Sequence, residues 1–207
     1  IYDAGRKLSL DYFDTIYEKL GTRFNNFFFE SEVADDGVKI VKEFLKKNIF
    51  IESEGAIVFP GEIYEEHTRV FINSQGLPTY EAKELGLTQR KFELYPKLDE
   101  SVVITANEQD AYYKVIMAVL REIYPDIAKK VKHLSHGMLR PSSGKMSSRK
   151  GNIVSAEDLI EEFEKLVIEK IKDRDFSPDE KGSICNDVAI AGLKYTILRQ
   201  SIGGDII

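Results

Sequence analysis

The sequence predicts an α/β fold in which parallel strands alternate with helices and purely helical segments follow. Three observations carry that prediction. Between about residues 69 and 136, short apolar runs alternate with longer stretches of helical periodicity. Beyond about residue 155 only helical periodicity remains. A hydrophobic fraction of 43%, with 11% aromatic residues, is enough for a packed core, and 31% charged residues supply the surface.

The elements follow in order. Leu8, Tyr12, Phe13, Ile16, Tyr17 and Leu20 share one helical face, and Gly21 ends it. A second helix runs through Val38, Val41, Phe44 and Leu45, with Asp35 or Asp36 as its expected cap. Ile49-Phe50-Ile51 and Ala56-Ile57-Val58-Phe59 flank Glu-Ser-Glu-Gly and read as a hairpin near 48–60. Strand runs at Val70-Phe71-Ile72, Val102-Val103-Ile104 and His133-Leu134 then alternate with helices at about 80–94 and 109–123. That order predicts one parallel sheet with ligands at the carboxyl ends of its strands. Ser155 caps a helix with an apolar face of Leu159, Ile160, Phe163, Leu166, Val167 and Ile171, and a last helix starts near Ser183.

Composition excludes several classes. The chain is too apolar for disorder, no apolar run approaches a membrane span, and no secretory leader is visible, which sets a cytoplasmic expectation. Cys185 is the single cysteine, so an internal disulfide and a cysteine-built zinc site are excluded. The net charge of −6 argues at first against nucleic acid, but the charge is uneven. Between Ile127 and Ala156 there is no Asp or Glu, while Lys129, Lys130, Lys132, Arg140, Lys145, Arg149 and Lys150 lie there. This basic island suggests a phosphate-bearing partner.

Within it, Gly144-Lys145-Met146-Ser147-Ser148-Arg149-Lys150-Gly151-Asn152 combines cations, hydroxyls and flanking glycines. Glycines allow close backbone approach, hydroxyls bond phosphate oxygens, and Lys and Arg offset charge developing on a leaving pyrophosphate. The spacing is not that of a Walker A loop. The segment resembles the K-M-S-K-S signature of class I aminoacyl-tRNA synthetases, and the form K-M-S-[ST]-R-K-G-N is similar to that of arginyl-tRNA synthetases. Gly76-Leu77-Pro78-Thr79-Tyr80 with Glu84 resembles their D-G-t-x-T-Y-x-x-x-D segment. Glu108-Gln109-Asp110-Ala111-Tyr112-Tyr113 resembles their x-Q-x-x-[HY]-[FY] stretch, Glu54-Gly55-Ala56 their d-G-A hairpin, and Val188 to Tyr195 the start of their anticodon-binding helices.

The resemblance implies a partial Rossmann-like class I catalytic domain over 1–140, the signature loop with a connecting helix over 141–178, and the first anticodon-binding helix over 179–207. It implies an arginine-tRNA ligase that uses Mg2+-bound ATP to activate L-arginine and charges tRNA(Arg), with a monomer favoured and no membrane partner. Tyr80, Glu84 and Gln109 would bind arginine, since a planar guanidinium needs acceptors in a plane. Lys145, Ser148, Arg149 and Lys150 would take the catalytic places of the loop. His136, Gly137, Met138, Lys145, Met146 and Ser147 would bind ATP.

Departures accompany the match. Glu84 stands where the family has Asp, one methylene longer, and Ser148 replaces the second lysine of the signature. The H-I-G-H signature is not found; His133-Leu134-Ser135-His136 has its outer spacing, but Ser135 replaces the glycine. With Ile1 at the start, the missing half of the nucleotide fold is expected upstream, leaving this part inactive by itself. No third ligand accompanies the two histidines, so no metal site is expected. Two rivals are a class I lysyl-tRNA synthetase and a non-catalytic synthetase-like module that binds tRNA or nucleotide.

Overall fold

The computed structural model describes residues 1–138 and 155–205. Two compact units partition the chain: Asn26–Gly137, and Ile1–Asn25 with Met138–Ile207.

In the unit Asn26–Gly137, helix α2 spans Glu30–Leu45, and α1 (Tyr2–Lys19) belongs to the other unit. α2 begins upstream of the expected cap, because the Glu32 carboxylate accepts from the Phe29 backbone N–H at 3.3 Å and closes the first turn there. Asp36 therefore lies inside the helix, paired with Lys39 at 2.8 Å. Strands β1 (Ile51–Ser53) and β2 (Ala56–Phe59) form the expected hairpin. Its turn is tighter than the four residues expected: Glu54 and Gly55 alone make it, with φ of 49° and 78°, the mirror-image turn that matches strand twist.

The main correction concerns β3 (Arg69–Ile72). It pairs antiparallel with β2 in a sheet ordered β1-β2-β3, and is not a member of the parallel sheet. Both edges of β3 are occupied. β2 takes one, and the chain after β3 folds back along the other, with Thr79 N–H donating to Phe71 O at 3.0 Å and Ile72 bridged to Pro78. No edge is left for a parallel neighbour. The parallel pairing among the described residues joins β4 (Ser101–Ala106) to β5 (Val131–His136), in register from Ser101 opposite Val131 to Ala106 opposite His136.

Helices α3 (Tyr80–Leu94) and α4 (Asp110–Ile123) stand where the periodicity placed them, and a short α5 (Pro125–Ala128) leads into β5. α3 crosses α2 at two glycines. A Cβ on Gly37 would stand 2.1 Å from Ala82 O, and one on Gly86 would stand 2.4 Å from Val33 O. The core gathers Val41, Phe50, Phe59, Phe71, Leu85 and the apolar face of α4, including Val115, Ile116, Val119 and Leu120.

The other unit holds α1 (Tyr2–Lys19), α6 (Ala156–Ile171) and α7 (Pro178–Leu198). Ser155 caps α6 as expected, its hydroxyl accepting from Asp158 N–H at 3.1 Å. α7 starts earlier than expected, because Ser177 makes the same box with Glu180 and Pro178 occupies the first turn. Ile16, Ile160, Cys185, Ala189 and Leu193 are buried. Leu166 is exposed, outside the face the spacing assigned it, and Leu8, Tyr12 and Phe13 of α1 are exposed as well.

Candidate active site

The segment between β3 and α3 is set by its own polar side chains. Asn73 Oδ1 accepts from the N–H groups of Gln75 and Leu77, both at 3.0 Å, and Gly76 supplies the positive φ of 79° that this turn requires. Thr79 then donates its hydroxyl to Val70 O at 2.8 Å, which fixes the first turn of α3 against β3. Tyr80 opens that turn and is 67% exposed, and the Tyr112 hydroxyl donates to its carbonyl at 3.1 Å.

One turn later on the same helix stands Glu84. Tyr80 and Glu84 line one cavity of about 200 Å³, whose remaining wall includes Phe28, Phe29, Lys83 and Tyr112. Burial holds the Glu84 carboxyl above its ordinary value of 4.5, against the opposing pull of Lys91 and of the Tyr113 hydroxyl. Burial, followed by the Glu84 charge, pushes the phenols of Tyr112 and Tyr113 up, so both stay protonated donors. Lys83 is held by Glu30 at 2.7 Å, which offsets its charge at the cavity rim. The result is a carboxylate at the side of a partly aromatic hollow, suited to a cationic head on an apolar stem.

Gln109 lies elsewhere in the unit. It ends a 3-10 turn, Asn107–Gln109, after β4 and occupies the position just before α4, exposed and outside the described walls of that cavity. It stands at the carboxyl end of the parallel pair, where Ala106 is opposite His136. His136 is exposed, with Nδ1 2.7 Å from Gly137 O. Met138 begins the other unit, its N–H donating to Asp205 Oδ1 at 2.9 Å. Lys145, Met146, Ser147, Ser148, Arg149 and Lys150 lie outside the described residues.

A second hollow, about 370 Å³, is lined by Asp110, Tyr113, Lys114, Arg121, His133 and Ser135 among others. The His133 ring stacks on Tyr113, centroids 4.2 Å apart, and its Nε2 lies 2.8 Å from the Thr105 hydroxyl. Among the described residues no group of three His, Cys, Asp or Glu side chains is arranged to hold a metal. Tyr113 lines this second hollow, next in sequence to the Tyr112 of the first, and is the residue that motif reading passed over. Its signal was the aromatic position at the end of the Gln109 stretch.

The order of these parts along the chain matches a known pattern from end to end. The family model of tRNA synthetases class I (R), catalytic domain, matches residues 2–205. The chain belongs to that family. An arginine-tRNA ligase of Flavobacterium psychrophilum is 30% identical over 194 residues, covering 91% of the chain and 32% of the relative. That of Clostridium perfringens is 27% identical over 207 residues, covering 100% of the chain and 36% of the relative. Among solved structures, an arginyl-tRNA synthetase from Plasmodium falciparum superposes with a TM-score of 0.71 at 17% identity, over 96% of this chain and 34% of that one. A putative arginyl-tRNA synthetase from Campylobacter jejuni gives 0.63 at 16% identity, over 91% and 36%. At such identities the superpositions speak to the fold. The chain spans about a third of the length of the curated relatives it matches.

Membership identifies the chain as a class I synthetase piece of mixed α/β architecture, related to aminoacyl-tRNA ligases for arginine. Among the described residues no helix is long and apolar enough to cross a membrane.

Proposed function

We propose that the protein carrying this chain is an arginine-tRNA ligase. It activates L-arginine with ATP to arginyl-adenylate and passes the arginyl group to tRNA(Arg), in the cytoplasm and as a monomer. The observation that carries this reading is the match of the class I (R) model across residues 2–205, with relatives called arginine-tRNA ligases. The cavity beside α3 supports it, because a half-buried carboxylate next to an exposed phenol suits a guanidinium. In this reading Glu84 binds the guanidinium and Tyr80 closes over the stem. Gln109 meets the α-amino end, near the carboxyl ends of β4 and β5.

Activation then needs the arginine carboxylate to attack the α-phosphate of Mg2+-bound ATP. His136, Gly137 and Met138 would hold the adenine side. Lys145, Arg149 and Lys150 would stabilise the triphosphate, with Met146, Ser147 and Ser148 shaping the loop. The chain's own contribution is positioning and charge placement. The basic run that includes Lys129, Lys130 and Lys132 would meet tRNA phosphates. The loop with its connecting helix over 141–178, and the following 179–207 as the entry to an anticodon-binding bundle, belong to the same proposal.

The test is ATP–pyrophosphate exchange by the full-length protein, with and without tRNA. Arginine-dependent exchange is expected. Exchange with lysine but not arginine overturns the reading. Glu84→Ala is expected to raise the arginine KM far more than the ATP KM, and equal effects on both remove Glu84 from the pocket.

A further inference from the structure

Two tyrosine hydroxyls tie the α4 region to α3, one at each end of α4. Tyr124, just past α4, donates to Gln89 Oε1 at 3.4 Å, outside the described walls of the α3 cavity. Tyr112, in the first turn of α4, donates to Tyr80 O at 3.1 Å, and both of these tyrosines line the cavity together with Glu84. In helical geometry the Tyr80 carbonyl also faces the N–H of the residue four places on, which is Glu84. A single backbone oxygen thus joins the Tyr112 phenol, the residue that opens α3 and the turn that carries the carboxylate.

Tyr112 is itself held. The Arg69 guanidinium of β3 lies over its ring, 5.6 Å from the centroid, and Tyr113 meets it edge-on at 4.9 Å. Arg69 also pairs at 3.0 Å with Glu81, whose side chain is 12% exposed on the first turn of α3. That turn is therefore tied to β3 through Thr79 and Arg69, and to α4 through Tyr112. Of these three, Tyr112 is the one that lines the cavity.

We propose that Tyr112 is a positioning residue for the amino-acid substrate: by donating to the Tyr80 carbonyl it fixes the turn from which Tyr80 and Glu84 line the cavity, and so sets where a cationic side chain is held. The phenol has one proton and Tyr80 O takes it, so Tyr112 acts on a ligand as a wall and through the placement of its neighbours. This proposal rests on the reading of the cavity as the arginine site.

Tyr112→Phe keeps the ring under Arg69 and removes only the hydroxyl. In the full-length protein it is expected to raise the arginine KM about two- to tenfold, the worth of one hydrogen bond, and to leave the ATP KM unchanged. Tyr124→Phe removes the other hydroxyl tie to α3 and is expected to change neither. An arginine KM unaltered by Tyr112→Phe, equal losses for arginine and ATP, or the same arginine loss from Tyr124→Phe overturns the positioning role. A second measurement stands apart from arginine: amide hydrogen exchange in the ligand-free full-length protein. Tyr112→Phe is expected to speed exchange at Lys83 and Glu84, in the turn it anchors, and to leave Gln89 at the parent rate. Exchange at Lys83 and Glu84 as slow as in the parent overturns the anchor. If it quickens while the parent protein shows no arginine-dependent ATP–pyrophosphate exchange, the anchor is supported and only the arginine reading falls.

Discussion

Glu84 carries opposed demands in one side chain. Burial raises its folded-state pKa above the ordinary 4.5, so the folded protein binds this proton more tightly than the unfolded chain does. The sign follows: its favourable contribution is fully present below about the unfolded value and is lost as pH rises through the raised folded value. At neutral pH the protein therefore carries the cost of a desolvated carboxylate, which a bound guanidinium would offset. Glu84→Gln is expected to match the parent in urea unfolding at acid pH and to be more stable at neutral pH, while losing arginine affinity. Lower stability than the parent at neutral pH would mean the carboxylate is stabilised by its partners after all. In the parent, the arginine KM is expected to rise as pH falls through the raised pKa, because the protonated acid offers no charge to a cation.

The crossing of α2 and α3 decides whether the cavity exists, because Phe28, Phe29 and Val33 come from the entry and first turns of α2 and Glu84 and Leu87 from α3. Gly86 sits 2.8 Å from Gly37 N at the position of an added Cβ, so neither helix can recede without opening that hollow. Gly37→Ala or Gly86→Ala is expected to cost about 1–3 kcal/mol in urea unfolding, as overpacking against backbone does. Gly182→Ala in α7, where nothing lies within 4 Å, is expected to gain up to about 1 kcal/mol from helix propensity. Helices of this kind were legible in advance. Helical periodicity over about 80–94 and 109–123 placed α3 and α4, and Ser155 marked the start of α6 from its own chemistry. The partner of β3 was not legible, because an apolar run such as Val70-Phe71-Ile72 carries no information about which edges a later loop will occupy. Tyr113 escaped for the same reason: its stacking on His133 depends on how α4 packs against β5, whereas the loop cations from Lys145 to Lys150 declare themselves by residue type and order alone.

At the scale of the molecule, the β4–β5 pair has one face covered and one open. Tyr113 of α4 lies against His133 on the covered side. On the other, Val102 is 45% exposed, Ile104 67% and Leu134 42%, with Ile104 directly opposite Leu134. Parallel strands in α/β proteins are ordinarily covered on both faces, and the relatives are about three times as long as this chain. Two expectations of opposite sign follow. In the 207-residue chain, replacing Val102, Ile104 and Leu134 by threonine keeps β-propensity and removes an apolar patch, so sedimentation velocity should show less self-association than in the parent. In the full-length protein the same three changes should lower stability, since each buried aliphatic side chain is worth about 1.5–3 kcal/mol in transfer out of water. Equal association of parent and variant chains would clear this face as the cause. A full-length variant as stable as its parent would mean that the face meets water there too, and that this strand pair departs from the two-sided burial of its fold class.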